Sequence, residues 1–210
     1  RRCPGTPQSG SWGGYQPSLI KTTNGGLNWD PIIAPATIDI RSVKFTDINH
    51  GWIQSYSGYL CKTTNGGQNW IPDTTFKRLS LYDIYPISEN ECWVLARDGA
   101  PASRYYKTTN GGANWNLIYT DRNLLGEIKF FDSSTGYAYA GSNRVILKTT
   151  NGGNNWDSIY INTSPFITAI FPSSKREIIV GEGVYSSTYL TPYLLFLKSS
   201  DAGLSWNQTY

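Results

Sequence analysis

The sequence predicts an all-β fold, a β-propeller of four-stranded antiparallel blades, and three observations carry that reading. A nine-residue box, Lys-Thr-Thr-Asn-Gly-Gly-x-Asn-Trp in its best copies, recurs five times without gaps. The tryptophans that close the boxes lie 41, 45, 41 and 50 residues apart, a period that suits propeller blades. Between the boxes, apolar and polar residues alternate with period two, as in Ile40-Arg41-Ser42-Val43-Lys44-Phe45, the pattern of half-buried strands.

Each unit reads as strand, turn, strand, loop, strand, box, strand. Ahead of the later boxes, an apolar residue is followed nine positions on by another: Val43 and Trp52, Ile84 and Trp93, Ile128 and Tyr137, Ile170 and Ile179. Turn residues separate them, as in Asp47-Ile48-Asn49-His50-Gly51 and Asp132-Ser133-Ser134-Thr135-Gly136. The blades are expected at about 1–36 (partial), 37–77, 78–121, 122–163 and 164–210 of one domain. The first 16 or so residues, rich in Gly, Pro and Ser, do not read as the two inner strands a whole first blade needs. Three arrangements fit: further chain upstream, part of a larger ring, or an irregular five-bladed ring closed by the N-terminal segment. The lack of any Met fits a processed form or a piece of a longer protein.

The box has its own physical logic. Asn-Gly is a strong hairpin signal. The Asn side chain can accept hydrogen bonds from its own turn, and the glycines can take positive φ. The Thr hydroxyl adds a contact, and the Trp begins the return strand and covers the turn. The box is thus a hairpin staple between the third and fourth strands. Its defining residues are Thr22, Asn24, Gly26 and Trp29; Thr63, Asn65, Gly67 and Trp70; Thr108, Asn110, Gly112 and Trp115; Thr149, Asn151, Gly153 and Trp156; and Ser199, Asp201, Gly203 and Trp206.

On those residues the chain resembles the Asp-box, or BNR, repeat family, although only Asp201 supplies the Asp of the name. Asp boxes occur in sialidases, xyloglucanase-type glycosidases, sortilin-type receptors, the photosystem II assembly factor family and secreted bacterial proteins with C-terminal sorting domains. The Lys-Thr-Thr-Asn-Gly-Gly style, with Phe-x-Asp-x-x-x-Gly-Trp upstream, is most similar to the last two. The resemblance implies that the boxes are structural, that sites lie elsewhere, and that the protein is secreted or extracytoplasmic.

Composition narrows the function classes. Charged residues make up 16% and aromatics 14%, with 8 Trp and 15 Tyr, which argues against disorder. The net charge of +3 is spread along the chain, so no nucleic-acid footprint appears. No stretch reaches the roughly 18 apolar residues of a membrane helix. Cys3, Cys61 and Cys92 are odd in number and lack a CxxC pair. Cys61 occupies a slot filled elsewhere by Ile20, Tyr106, Leu147 and Leu197, and reads as a buried thiol used as a small hydrophobe; a disulfide between two of the three is the alternative.

In a four-stranded blade, the turns after strands one and three share one face, and the remaining connections share the other. The two longest insertions, around residues 97–105 and 182–193, both follow a second strand and are expected opposite the boxes. Binding residues concentrate on such loops. Arg97, Asp98, Arg104, Tyr105, Tyr185, Tyr189 and Tyr193 are the candidate partner contacts. Tolerated loop variation is the alternative.

The lysines that open the boxes (Lys21, Lys62, Lys107, Lys148 and Lys198) read as solvated strand positions that discourage edge pairing; a cationic ring is the alternative. His50 is the only histidine and reads as a turn residue, since a triad or histidine metal site needs partners this sequence does not offer. Of the fifteen carboxylates, Asp98, Asp121 and Glu182 fall on the insertion face, but no spacing singles out a glycosidase pair. The sequons at Asn162 and Asn207 carry little weight, and no phosphate-binding glycine loop is present. The expected function is a non-catalytic exported scaffold or protein-interaction module. It has no cofactor or metal, and its partner is another protein or a cell-surface assembly. The alternatives are a carbohydrate-binding or glycosidase-type propeller and a photosystem II assembly factor-like protein.

Overall fold

A computed structural model describes residues 18–33, 39–98, 102–121, 125–140, 145–161, 167–184 and 193–209. They form five antiparallel sheets. The first has two strands, β1 (Ser18–Lys21) and β2 (Asp30–Ile33). The other four each have four strands, in sequence order across the sheet. The second holds β3 (Ile40–Phe45), β4 (Gly51–Ser55), β5 (Leu60–Thr63) and β6 (Ile71–Asp73). The third holds β7 (Ser80–Pro86), β8 (Cys92–Arg97), β9 (Ser103–Thr108) and β10 (Asn116–Asp121). The fourth holds β11 (Leu125–Phe130), β12 (Gly136–Ala140), β13 (Val145–Thr149) and β14 (Asp157–Tyr160). The fifth holds β15 (Ile167–Pro172), β16 (Ile178–Val184), β17 (Tyr193–Ser199) and β18 (Asn207–Thr209).

The sheets stack as propeller-like blades. The first strand of each four-stranded blade packs on its neighbour: β3 and β4 on β7, β7 on β11, and β11 and β12 on β15. The described strands make an open array and no closed ring. The alternation seen in the sequence sets the packing, with one side of each sheet facing the preceding blade and the other the following blade. Trp52, Trp93, Ile128, Ile146 and Val180 are buried between sheets. Cys61 and Cys92 are free, buried thiols, and burial pushes Cys61 up to about 11, as expected of small hydrophobes. Cys3 lies outside the described residues.

Every box folds alike. The Thr or Ser hydroxyl accepts the second glycine's N–H, at 2.7–2.9 Å, and donates to the Asn or Asp carboxamide or carboxylate oxygen. That oxygen in turn accepts the N–H four residues on, at 2.9 Å in all five copies. Both box glycines have positive φ, and in the last copy Ala202 takes that conformation at φ 65°. A left-handed alanine costs about 1–2 kcal/mol, part of which glycine returns as unfolded-state entropy. Ala202→Gly is therefore expected to stabilise the chain by up to about 1 kcal/mol, read as a raised urea midpoint with an unchanged slope.

The boxes share a face with the turn that follows each first strand. Gly66, Gly111, Gly152 and Ala202 donate their N–H to the carbonyls of Asn49, Asn90, Ser134 and Arg176. Carboxylates brace both kinds of turn. Hydrogen bonds from the Ser205 hydroxyl and N–H and the Ser199 hydroxyl hold Asp201 well below the usual carboxylate range. Backbone and hydroxyl donors of Thr135 and Ser134 do the same for Asp132. A folded-state pKa below the unfolded value means stability that is present above about pH 4 and lost as pH falls toward the folded value. Asp201→Asn, which loses the carboxylate oxygen that accepts the Ser205 hydroxyl, is expected to lower stability at pH 7 and to flatten its decline between about pH 4 and pH 2, measured by thermal unfolding across pH.

Three of the box lysines depart from the solvated reading. Lys21, Lys62 and Lys107 each reach the following blade and donate to the carbonyl of Gly66, Gly111 or Gly152, at 2.8–3.2 Å. The reason lies in register. In the four-stranded blades the box lysine sits opposite the bulky residue of the second strand: Trp52 with Lys62, Trp93 with Lys107, Tyr137 with Lys148, Ile179 with Lys198. The Lys62 and Lys107 ammonium groups lie 5.5 and 5.4 Å over the Trp52 and Trp93 rings. Those rings meet the next box edge-on, Trp52 against Trp115 and Trp93 against Trp156. The box tryptophan therefore wedges against the preceding blade as well as covering its own turn. His50 joins this seam, its Nδ1 2.8 Å from Asp47 and its Nε2 3.3 Å from Glu89 of the next blade.

Candidate functional site

On the face away from the boxes, two arginines and two tyrosines meet across the second and third blades. Their placement begins with a fault in the alternation. In the first strand of each four-stranded blade, register slips near the start, and in β3 and β7 the single extra residues are Arg41 and Tyr82. A bulge of this kind re-aims a side chain. The neighbouring turn is fixed to β7 from both sides. The Leu81 N–H donates to the Tyr56 carbonyl at 3.1 Å, and the buried Gln54 amide donates to the Leu81 carbonyl at 2.8 Å. Gly58 completes that turn at φ +86°, where a side chain would collide with the Phe76 carbonyl.

This scaffold brings the Tyr56 and Tyr82 hydroxyls to 2.5 Å, with rings 5.1 Å apart in an edge arrangement. The Arg41 guanidinium lies 5.3 Å from the Tyr56 ring centre, and that of Arg97 3.9 Å from the Tyr82 ring centre. Arg97 is held by a bond from its Nε to the Ser103 hydroxyl, at 3.2 Å. Tyr56 is 41% exposed. The hydroxyl bond between the two tyrosines pushes the Tyr56 phenol up and, with Arg97 close by, pulls that of Tyr82 down. Two cations over π faces, with edges open to solvent, can take up anionic, carbonyl-rich or aromatic groups.

The sequence-based candidates divide. Arg97 belongs to the cluster. Asp98 and Arg104 pair with each other nearby, so Asp98 already neutralises a cation. Tyr105 does not reach the face: it is 2% exposed and packed among Trp93, Leu95, Ile128 and Leu147, because it falls on the inward phase of β9. Tyr185 and Tyr189 lie outside the described residues, and so do the side chains of Tyr193, Asp121 and Glu182. Arg41, Tyr56 and Tyr82 were missed. A bulge is invisible to a strict period-two reading, and Tyr56 lies in a short turn that no stretched spacing flags. Among the described residues no three His, Cys, Asp or Glu side chains are grouped to hold a metal, and no helix is long and apolar enough to cross a membrane.

No family model and no curated protein matches the chain. Solved structures do. An ancestral GH74 enzyme aligns with a TM-score of 0.71 and 21% identity, over 90% of this chain and 28% of its own. The GH74 xyloglucanase from Xanthomonas campestris aligns with a TM-score of 0.69 and 11% identity, over 94% of this chain and 36% of its own. YCF48 bound to D1 peptide aligns with a TM-score of 0.54 and 17% identity, over 82% of each chain. The chain thus spans well under half the length of the GH74 enzymes it matches. At these identities the likeness is one of fold, and it shows an all-β, propeller-like domain shared by catalytic and peptide-bound proteins.

Proposed function

We propose that this chain is a non-catalytic, exported propeller that serves as a protein-interaction or scaffold module, with its partner on the face opposite the boxes. The observation that carries the reading is the Arg41–Tyr56–Tyr82–Arg97 cluster, tied between two blades by the Leu81–Tyr56 backbone bond and the Gln54 amide and built from residue types that anchor interfaces. The fold likeness to a propeller solved with a peptide supports it, and also supports the assembly-factor-like variant of the same reading. Asp98, which follows Arg97 in the chain, is tied to Arg104, an arrangement that fits poorly with a free glycosidase acid.

The test is affinity capture from the native source with the intact chain, followed by quantitative comparison with Tyr56→Ala and Arg97→Ala. One stoichiometric partner, recovered at least tenfold less by either variant while thermal stability is retained, is the expected result. A glycan array and a polysaccharide hydrolysis screen run beside it. Saturable glycan binding or hydrolysis that depends on Arg104 or Tyr189, with no protein captured, overturns the reading in favour of the carbohydrate-directed alternative, which rests on the likeness to GH74 enzymes.

A further inference from the structure

Tyr56 and Tyr82 come from different blades, 26 residues apart in the chain, and their hydroxyls lie 2.5 Å from each other. Their rings meet edge-on, with centres 5.1 Å apart at 65°. The backbone beneath them is pinned by the Leu81 N–H on the Tyr56 carbonyl and by the Gln54 amide on the Leu81 carbonyl. The Arg41 and Arg97 guanidiniums lie over the two ring faces, so the rings meet at the edges that carry the hydroxyls. Phenols react at those edges. Loss of one electron and one proton leaves a phenoxyl radical whose unpaired electron is shared among the oxygen and the ortho and para carbons. In tyrosine the para carbon carries the side chain, so the ortho carbons beside the hydroxyl remain open. In an ortho–ortho biphenol the two hydroxyls flank the new bond and can bond to each other, which is the disposition this pair shows.

We propose that Tyr56 and Tyr82 form an oxidative modification site, joined by a carbon–carbon bond when a haem peroxidase and hydrogen peroxide act on the protein. Each phenol gives up one electron and one proton. The two ortho carbons then couple, and the hydrogens on those carbons shift to the oxygens, which restores two phenols. Hydrogen peroxide takes the two electrons and two protons and leaves as two waters. The new bond closes a covalent loop between the second and third blades. Proximity selects this pair, since holding two reactants in place turns an encounter into an intramolecular step. Tyr56 is open to the oxidant at 41% exposure. The bond with Tyr56 and the nearby Arg97 pull the Tyr82 phenol down, which eases its proton loss. Tyr105 and Tyr119 are also in ring contact, but their centres are 6.2 Å apart and Tyr105 is sealed in the core. The modification falls on the face proposed for the partner, yet its chemistry does not depend on that proposal.

The test treats the intact 210-residue chain with a haem peroxidase and limiting hydrogen peroxide. The expected product is a monomer lighter by two hydrogen atoms, with biphenol fluorescence and a yield independent of protein concentration. Trypsin should release residues 45–62 joined to residues 79–97, with fragment ions placing the bond at Tyr56 and Tyr82 rather than at the neighbouring Tyr59 and Tyr85. Tyr56→Phe and Tyr82→Phe keep the rings, and each should lower that product by about tenfold or more while thermal unfolding shows a folded chain. Tyr160→Phe, at a surface 70% exposed, should leave it unchanged. The cross-linked chain should unfold at higher urea, since a closed loop restricts the unfolded state. The proposal is overturned by the absence of product under conditions that couple free tyrosine, by a bond at other tyrosines, by covalent dimers alone, or by a product that survives Tyr56→Phe. An unchanged urea midpoint in the cross-linked chain overturns the covalent tie between blades.

Discussion

Gly153→Ala is expected to destabilise the protein by about 2–5 kcal/mol, summing a left-handed alanine and an overpacked interior. Gly153 sits at φ +85°, and a Cβ there would overlap the ring of Trp93 from the preceding blade. That ring is fully buried. It is held between Phe130, stacked at 5.6 Å, and Trp156, edge-on at 6.1 Å, so it has no free direction in which to move. Gly25→Ala is the internal control. Its φ is +69°, yet nothing lies within 4 Å of the added methyl, so only the backbone cost of about 1–2 kcal/mol applies. Trimming Trp93 to Leu in the Gly153→Ala background should recover part of the loss, a non-additivity that a double-mutant cycle in urea would read. Equal losses at Gly25 and Gly153 would mean that these glycines serve turn geometry alone.

That contrast marks what the sequence made legible. The hairpin logic of Thr, Asn and Gly-Gly is local, and the hydrogen bonds of all five boxes follow it. Local reasoning could not see that the second glycine also makes room for the neighbouring blade's tryptophan, since the partner lies about 60 residues earlier in the chain. Lys62 and Lys107 were misread for the same reason. A lysine in an alternating strand looks solvated until the register places it over a Trp and within reach of a carbonyl on the next blade. The face of the candidate site was legible from the long insertions, and Arg97 with it. Arg41 and Tyr82 were not, because they are the extra residues of bulges, where the chain breaks the periodicity used to find it. Tyr105 failed in the opposite way: it keeps the alternation and points inward.

Lys107→Ala is expected to cost about 2–4 kcal/mol, combining a lost charge-assisted hydrogen bond and a cation–π contact. Its ammonium donates to the Gly152 carbonyl at 2.8 Å, pairs with Glu91 at 2.5 Å and lies over Trp93, with its side chain only 11% exposed. Removing it leaves Glu91 without its cation in a largely buried setting, where breaking one partner of an ion pair is costly. Lys107→Met separates the causes: it keeps the stem against Trp93 and loses the charge, so a loss close to that of alanine assigns the effect to the ammonium. Lys198 holds the same box position in the last described blade and pairs with Glu177 at a site whose two side chains are 41% and 35% exposed. Lys198→Ala should therefore cost under about 1 kcal/mol, as exposed pairs do. A several-fold difference between the two substitutions, in thermal and urea unfolding, follows from the lysine acting as a tie between blades. Equal and small losses would return all five lysines to the role of ordinary strand residues, and the seams would then rest on tryptophan packing alone.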